Sequence, residues 1–120
     1  MIVTSLITAW RSRAGYLEGR ARPGSGRHGD ILASFMQSDV QGDLDCARTL
    51  LAEIAAAERG EAPQPAAVGN AFSVAIAPDG VTICNAVVEG ARPERYDFGE
   101  LRQALETWIA AIERIRRNPA

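Results

Sequence analysis

Strict alternation of apolar and polar positions organises residues 70–85, NAFSVAIAPDGVTICN. Phe72, Val74 and Ile76 alternate with Ser73, Ala75 and Ala77, the period-two signature of a strand with one buried face. Pro78-Asp79-Gly80 follows: proline presets a turn angle, aspartate caps the turn, and glycine accepts the left-handed conformation at its end. Val81-Thr82-Ile83-Cys84 resumes the alternation, and Ala86-Val87-Val88 extends the second strand, so the pattern predicts a β-hairpin over 70–88. A lone hairpin is marginal in water, so its apolar face needs cover.

Two longer spans carry the helical period. Leu44, Ala47, Leu51 and Ile54 recur at three- and four-residue steps, with Leu50 flanking them, which predicts a helix over 38–60. Ser38-Asp39-Val40-Gln41 fits a capping box and would start it at Ser38; Gly42 weakens that first turn and leaves Asp43 as the alternative start. Glu58-Arg59-Gly60 ends it, glycine supplying the C-terminal turn. A second helix is predicted over 97–117. Asp97 caps it and Glu100 completes a capping box. Leu101, Leu105, Trp108, Ile112 and Ile115 form its apolar stripe. Arg114, Arg116 and Arg117 fall in the last turn, where positive charge suits the helix dipole, and Pro119 stops the helix.

The rest is less regular. Residues 4–10 and 16–21 are candidate strands joined by Arg11-Ser12-Arg13-Ala14-Gly15. Residues 22–29, RPGSGRHG, read as a loop and 31–35 as another short strand, which makes 1–37 a strand-rich part. A Pro/Ala linker (61–69) and a polar loop with Pro93 (89–96) complete the chain. The expected architecture over 1–120 is one α+β domain: an antiparallel sheet of about five strands with two helices packed on one face.

Composition narrows the function classes. Hydrophobic residues are 47% and charged residues 23%, an ordinary globular profile, and the net charge of −2 excludes a broadly basic nucleic-acid binder. No apolar run is long enough to span a bilayer. The mildly apolar start lacks a basic leader and a cleavage site, so it reads as a strand rather than a signal peptide. Cys46 and Cys84 lie far apart, in no metal-like pattern, as expected of two free thiols in a cytoplasmic protein. All 13 basic residues are arginine. Charge is uneven along the chain. Residues 1–29 hold five arginines against Glu18, a net of +4, whereas 39–61 hold six carboxylates against Arg48 and Arg59, a net of −4. The second segment is either an ordinary solvated helix face or an acidic patch that docks a basic partner, led by Asp39, Asp43, Asp45 and Glu53.

Catalytic signals are sparse. Gly24, Gly26 and Gly29 spell G-x-G-x-x-G, but that motif holds a pyrophosphate only between a strand and a helix of a parallel βαβ unit, so a flexible loop is the better reading. His28, the single histidine, reads as a solvated loop residue. Ser25, His28 and Asp30 are neighbours on one loop, which rarely makes a triad. Cys46 and Cys84 have no partner base and read as packing residues. We expect no enzyme activity, no metal and no cofactor.

The runs ILASFMQSDVQGDLDCARTLLAEI, GNAFSVAIAPDGVTICN and YDFGELRQALETWIAAI resemble the YacL-like proteins and the related immunity proteins of contact-dependent growth inhibition and other polymorphic toxin systems. The likeness rests on S-D-V-Q-G at 38–42, G-N-A-F-S at 69–73 and a closing helix with Leu105 and Trp108, and covers about residues 28–112. It implies a cytoplasmic immunity protein that binds and blocks the toxic C-terminal domain of a secreted effector, often a nuclease. It carries over no functional residue, because immunity surfaces differ with each toxin. The acidic patch is a separate electrostatic inference: a nuclease needs a basic cleft for phosphates. The rival reading is a housekeeping YacL-like adaptor without catalytic activity.

Overall fold

The computed structural model describes residues 5–61, 67–68 and 71–117. The expectations for residues 1–4, for most of the linker, for 69–70 and for the Pro119 stop lie outside them. The elements run β1 (Ile7–Arg11), β2 (Leu17–Ala21), α1 (Gly26–Phe35), a π-helical turn (Met36–Val40), α2 (Leu44–Glu58), β3 (Ala67–Val68), β4 (Phe72–Ala77), β5 (Gly80–Asn85), β6 (Glu94–Tyr96) and α3 (Phe98–Arg117).

The fold is α+β, with its strands in two antiparallel sheets and with three helices rather than two. β1 and β2 form a hairpin of their own. The second sheet is β4-β5-β6, with the two-residue β3 paired along the outer edge of β4. In this sheet Val74 faces Ile83, Ile76 faces Val81, and Val81 faces Tyr96. These side chains are all buried, so cross-strand apolar pairs line one face. Gly80 opens β5 because a Cβ there would lie 2.8 Å from the Tyr96 carbonyl oxygen on the neighbouring strand.

The helix α3 lies at the centre. It packs against α2, against the β1–β2 hairpin and against β5. Its stripe, as expected, is buried at Leu101, Leu105, Trp108 and Ile112; Ile115 is only half-buried. Trp108 is fully buried, and its indole Nε1–H donates to the Gln41 carbonyl at 2.7 Å. Gln41 holds a positive φ of 54°, a strained angle for a residue with a side chain. Across the ring, Gly19 of β2 leaves room that a Cβ would fill, 2.6 Å from Trp108 Cζ3. The buried side chains of both sheets and all three helices form one contiguous cluster.

Three stretches differ from the sequence expectation. Residues 26–35 are a helix, not a loop followed by a strand. Its buried positions are Gly29, Leu32, Ala33 and Phe35, and Met36 at the head of the next turn continues the i, i+3, i+4, i+7 series from Gly29, a pattern masked in sequence by the glycines at its head. Of the two starts the sequence offers for α2, Asp43 is the one observed, as the N-cap of a helix that begins at Leu44, whereas Ser38–Gln41 belongs to the π-helical turn and its exit. Residues 86–88 do not extend β5. The Asn85 Oδ1 accepts the backbone N–H groups of Val87 (2.9 Å) and Val88 (3.1 Å), which turns the chain and leaves both valines exposed. The strand that does follow is β6, inside what composition marked as a polar loop.

Candidate partner-binding surface

The four acidic residues divide by what their carboxylates do. Asp39, in the π-helical turn, accepts the backbone N–H of Ala71 on Oδ1 and of Phe72 on Oδ2, both at 3.0 Å. Ser38 donates its hydroxyl to the same Oδ1 at 2.8 Å. Asp39 therefore ties the turn to the start of β4. Asp43 caps α2, accepting the Cys46 N–H at 3.1 Å. Asp45, in the first turn of α2, is exposed, and its charge suits the helix N-terminus. Glu53 lies two turns further along the same helix and is half-buried.

The structure brings three of the four together around Cys46. Burial pushes that thiol above its ordinary value, and the charges of Asp43, Asp39 and Glu53 push it further in the same direction. A thiol so placed stays protonated and is a poor nucleophile. The arginines of the segment are engaged: Arg48 pairs with Glu113 at 3.3 Å and Arg59 with Glu61 at 3.2 Å. Among the described residues, Asp45 and Glu53 make no ion pair, so they leave negative charge on α2, while Glu58 near its end is paired with Arg102.

A second polar cluster, which the sequence reading missed, surrounds His28. This residue is half-buried on α1, not solvated in a loop. Its Nδ1 lies 2.7 Å from Glu94 Oε2 of β6, and its Nε2 lies 2.9 Å from Glu100 Oε2 of α3. A carboxylate can only accept, so both contacts are hydrogen bonds only when both ring nitrogens carry protons. Burial lowers the pKa of the ring, but the hydrogen bonds to Glu94 and Glu100 and their negative charges outweigh it, and the net shift is upward. Tyr96 stacks on the ring at 4.3 Å and donates its hydroxyl to the His28 carbonyl at 2.6 Å. Arg27 pairs with Glu94 and donates to the Arg92 carbonyl. Glu100 also accepts the Asp97 N–H on Oε1 (3.0 Å) while Asp97 caps the Glu100 N–H (2.7 Å), the reciprocal box that the sequence signalled. The cluster thus clips α1 to β6 and to the head of α3.

The geometry dismantles two candidate chemistries. Ser25 donates to the Arg22 carbonyl at 2.6 Å, His28 is held by glutamates, and Asp30 is exposed, so these three neighbours form no triad. The glycine motif does follow a strand and open a helix, but β2 is antiparallel to β1, and the Ser25 hydroxyl sits in the space beside Gly29. Among the described residues, no group of histidine, cysteine and carboxylate side chains is arranged to hold a metal. Among the described residues, no helix is long and apolar enough to cross a membrane. The chain matches no protein-family model, no curated protein and no solved structure.

Proposed function

We propose that this protein is a cytoplasmic immunity protein of a contact-dependent growth inhibition or related toxin system. It acts by tight, stoichiometric binding to the toxic C-terminal domain of its cognate effector. The toxin is a nuclease whose basic cleft docks on the acidic surface led by Asp39, Asp43, Asp45 and Glu53. The observation that carries this reading is the negative charge of Asp45 and Glu53 on α2, which form no ion pair among the described residues, whereas Glu58 and Glu61 at the far end of the segment are paired with Arg102 and Arg59. The likeness of residues 28–112 is to YacL-like proteins and the related immunity proteins together, and it fits both this reading and the housekeeping alternative.

The two halves of the reading are tested separately. Co-expression with the toxin domain encoded beside it should rescue growth, and failure to bind or protect overturns the immunity role in favour of a housekeeping adaptor. Asp45→Arg with Glu53→Arg should weaken toxin binding by ~10-fold or more and flatten its salt dependence. Unchanged affinity with unchanged salt dependence would move the interface elsewhere.

A further inference from the structure

The end of the molecule built by the β1–β2 hairpin and the last turns of α3 has the opposite character. Ile115 is the shared wall of two grooves. One, of about 220 Å³, runs between Trp10 and Arg11 of β1 and Ala111 and Arg114 of α3. The other, of about 440 Å³, lies between Tyr16 and Leu17 at the start of β2 and Ile112 and Arg116 of α3. Leu17, Ala111, Ile112 and Ile115 supply the aliphatic lining, Arg114 and Arg116 stand beside it, and Gln37, Gln41 and Gly42 close the far side of the larger groove. Arg20 places its guanidinium 5.4 Å from the centre of the Trp10 ring. Over 10–20 and 111–117 there are six arginines against Glu18 and Glu113, and Glu113 is bound to Arg48.

This surface is held ready. The Ser12 N–H donates to the Tyr16 carbonyl at 2.8 Å, and the Tyr16 N–H donates to the Ser12 hydroxyl at 3.1 Å. Gly15 takes the positive φ of 90° that closes this turn. The turn leaves Tyr16 71% exposed on the groove's edge. Gln37 fixes the far side by accepting the Gly19 N–H at 2.9 Å. A binding surface that is already ordered loses little entropy when occupied.

We propose that this groove pair is a docking surface for an acidic, amphipathic protein segment, which places an apolar side chain on either side of Ile115 and its carboxylates against Arg114 and Arg116. Tyrosine, tryptophan and arginine around an aliphatic centre is the make-up of protein interfaces. A single-stranded nucleic acid fits less well: its phosphates would find the same arginines, but stacking needs bare aromatic faces and one face of Trp10 lies under Arg20. The larger groove borders the acidic surface at Gln41 and Gly42, between Asp39 and Asp43, and the proposal does not rest on the immunity reading.

The test is fluorescence anisotropy on the full chain with three labelled probes: a helical peptide bearing glutamates on one face and leucine and phenylalanine on the other, the same peptide with lysines for glutamates, and an oligothymidylate. The glutamate peptide should bind, the lysine peptide should not, and Arg114→Glu with Arg116→Glu should weaken binding ~10-fold or more. Ile115→Ser should weaken it while leaving these charges in place. Both arginines are exposed, so an unchanged thermal midpoint checks that their variant folds. Absence of peptide binding, indifference to the arginine reversals, or tighter binding of the oligothymidylate overturns the proposal. Concentration-dependent self-association that these same reversals abolish overturns it in favour of a second copy as the occupant.

Discussion

Replacing Trp108 tests the packing account directly. The side chain is fully buried, is held by a hydrogen bond to the Gln41 carbonyl, and lies against the backbone of Gly19. Truncating a buried aromatic to alanine costs about 3–5 kcal/mol through lost burial and the cavity left behind. Against a total of about 5–15 kcal/mol for a domain, Trp108→Ala removes a large share of the stability. Trp108→Phe separates the terms: it keeps most of the apolar volume and loses the indole N–H, so its hydrogen-bond component is about 0.5–1.5 kcal/mol. Gly19→Ala drives a methyl to within 2.6 Å of the ring, and overpacking of this kind costs about 1–3 kcal/mol. Because the two residues touch, the cost of Gly19→Ala should shrink in the Trp108→Phe background, a coupling of about 0.5–3 kcal/mol. Equilibrium urea unfolding followed by far-ultraviolet circular dichroism reads all four variants. A loss below about 1 kcal/mol for Trp108→Ala, or strict additivity of the pair, would refute α3 as the centre of the core.

Other consequences follow from single contacts. Asp39→Ala leaves the Ala71 and Phe72 N–H groups without their charged acceptor and should cost about 2–4 kcal/mol in the same unfolding assay, with Asp39→Asn recovering only part; a neutral result would mean that the tie to β4 does not form. Asp97→Ala removes the N-cap of α3 and should cost about 0.5–2 kcal/mol, read as a lower thermal midpoint. The His28 clip makes stability depend on pH. Its pKa is raised above 6.5 in the folded protein, so the contribution is complete below 6.5 and is lost as pH rises through the folded value. Stability measured upward from about pH 6 should therefore fall for the wild type, and this slope should vanish in His28→Gln. An unchanged slope in that variant would show that the ring is not charged by Glu94 and Glu100.

Periodicity made the core legible and hid the polar clusters. The hairpin Phe72–Asn85 and the stripe from Leu101 to Ile112 were readable because each presents one apolar face at a fixed period. The capping boxes illustrate the limit. Asp97 and Glu100 form one as written, whereas Ser38 and Gln41 spell the same pattern yet lie in a π-helical turn, where the Gln41 side chain instead donates to the Ser38 carbonyl at 2.7 Å. Helix α1 was hidden by Gly24, Gly26 and Gly29, which read as a loop locally and are overridden by burial of Leu32, Phe35 and Met36. With α1 unrecognised, His28 could not be placed against Glu94 and Glu100, which lie 66 and 72 residues away in the chain. The acidic character of 39–61 was visible as charge. That Asp39 and Asp43 use their carboxylates on backbone N–H groups, while Asp45 and Glu53 do not, depends on where β4 and the helix N-terminus lie in space.

The central functional claim is tight binding to a basic toxin domain through the acidic face of α2. Isothermal titration calorimetry of the purified protein against the toxin domain encoded directly upstream, at about 0.05 M and about 0.5 M salt, tests it most directly. The account predicts one-to-one, nanomolar binding that weakens markedly at the higher salt. Absence of binding contradicts the immunity role, and tight binding indifferent to salt contradicts the acidic docking surface.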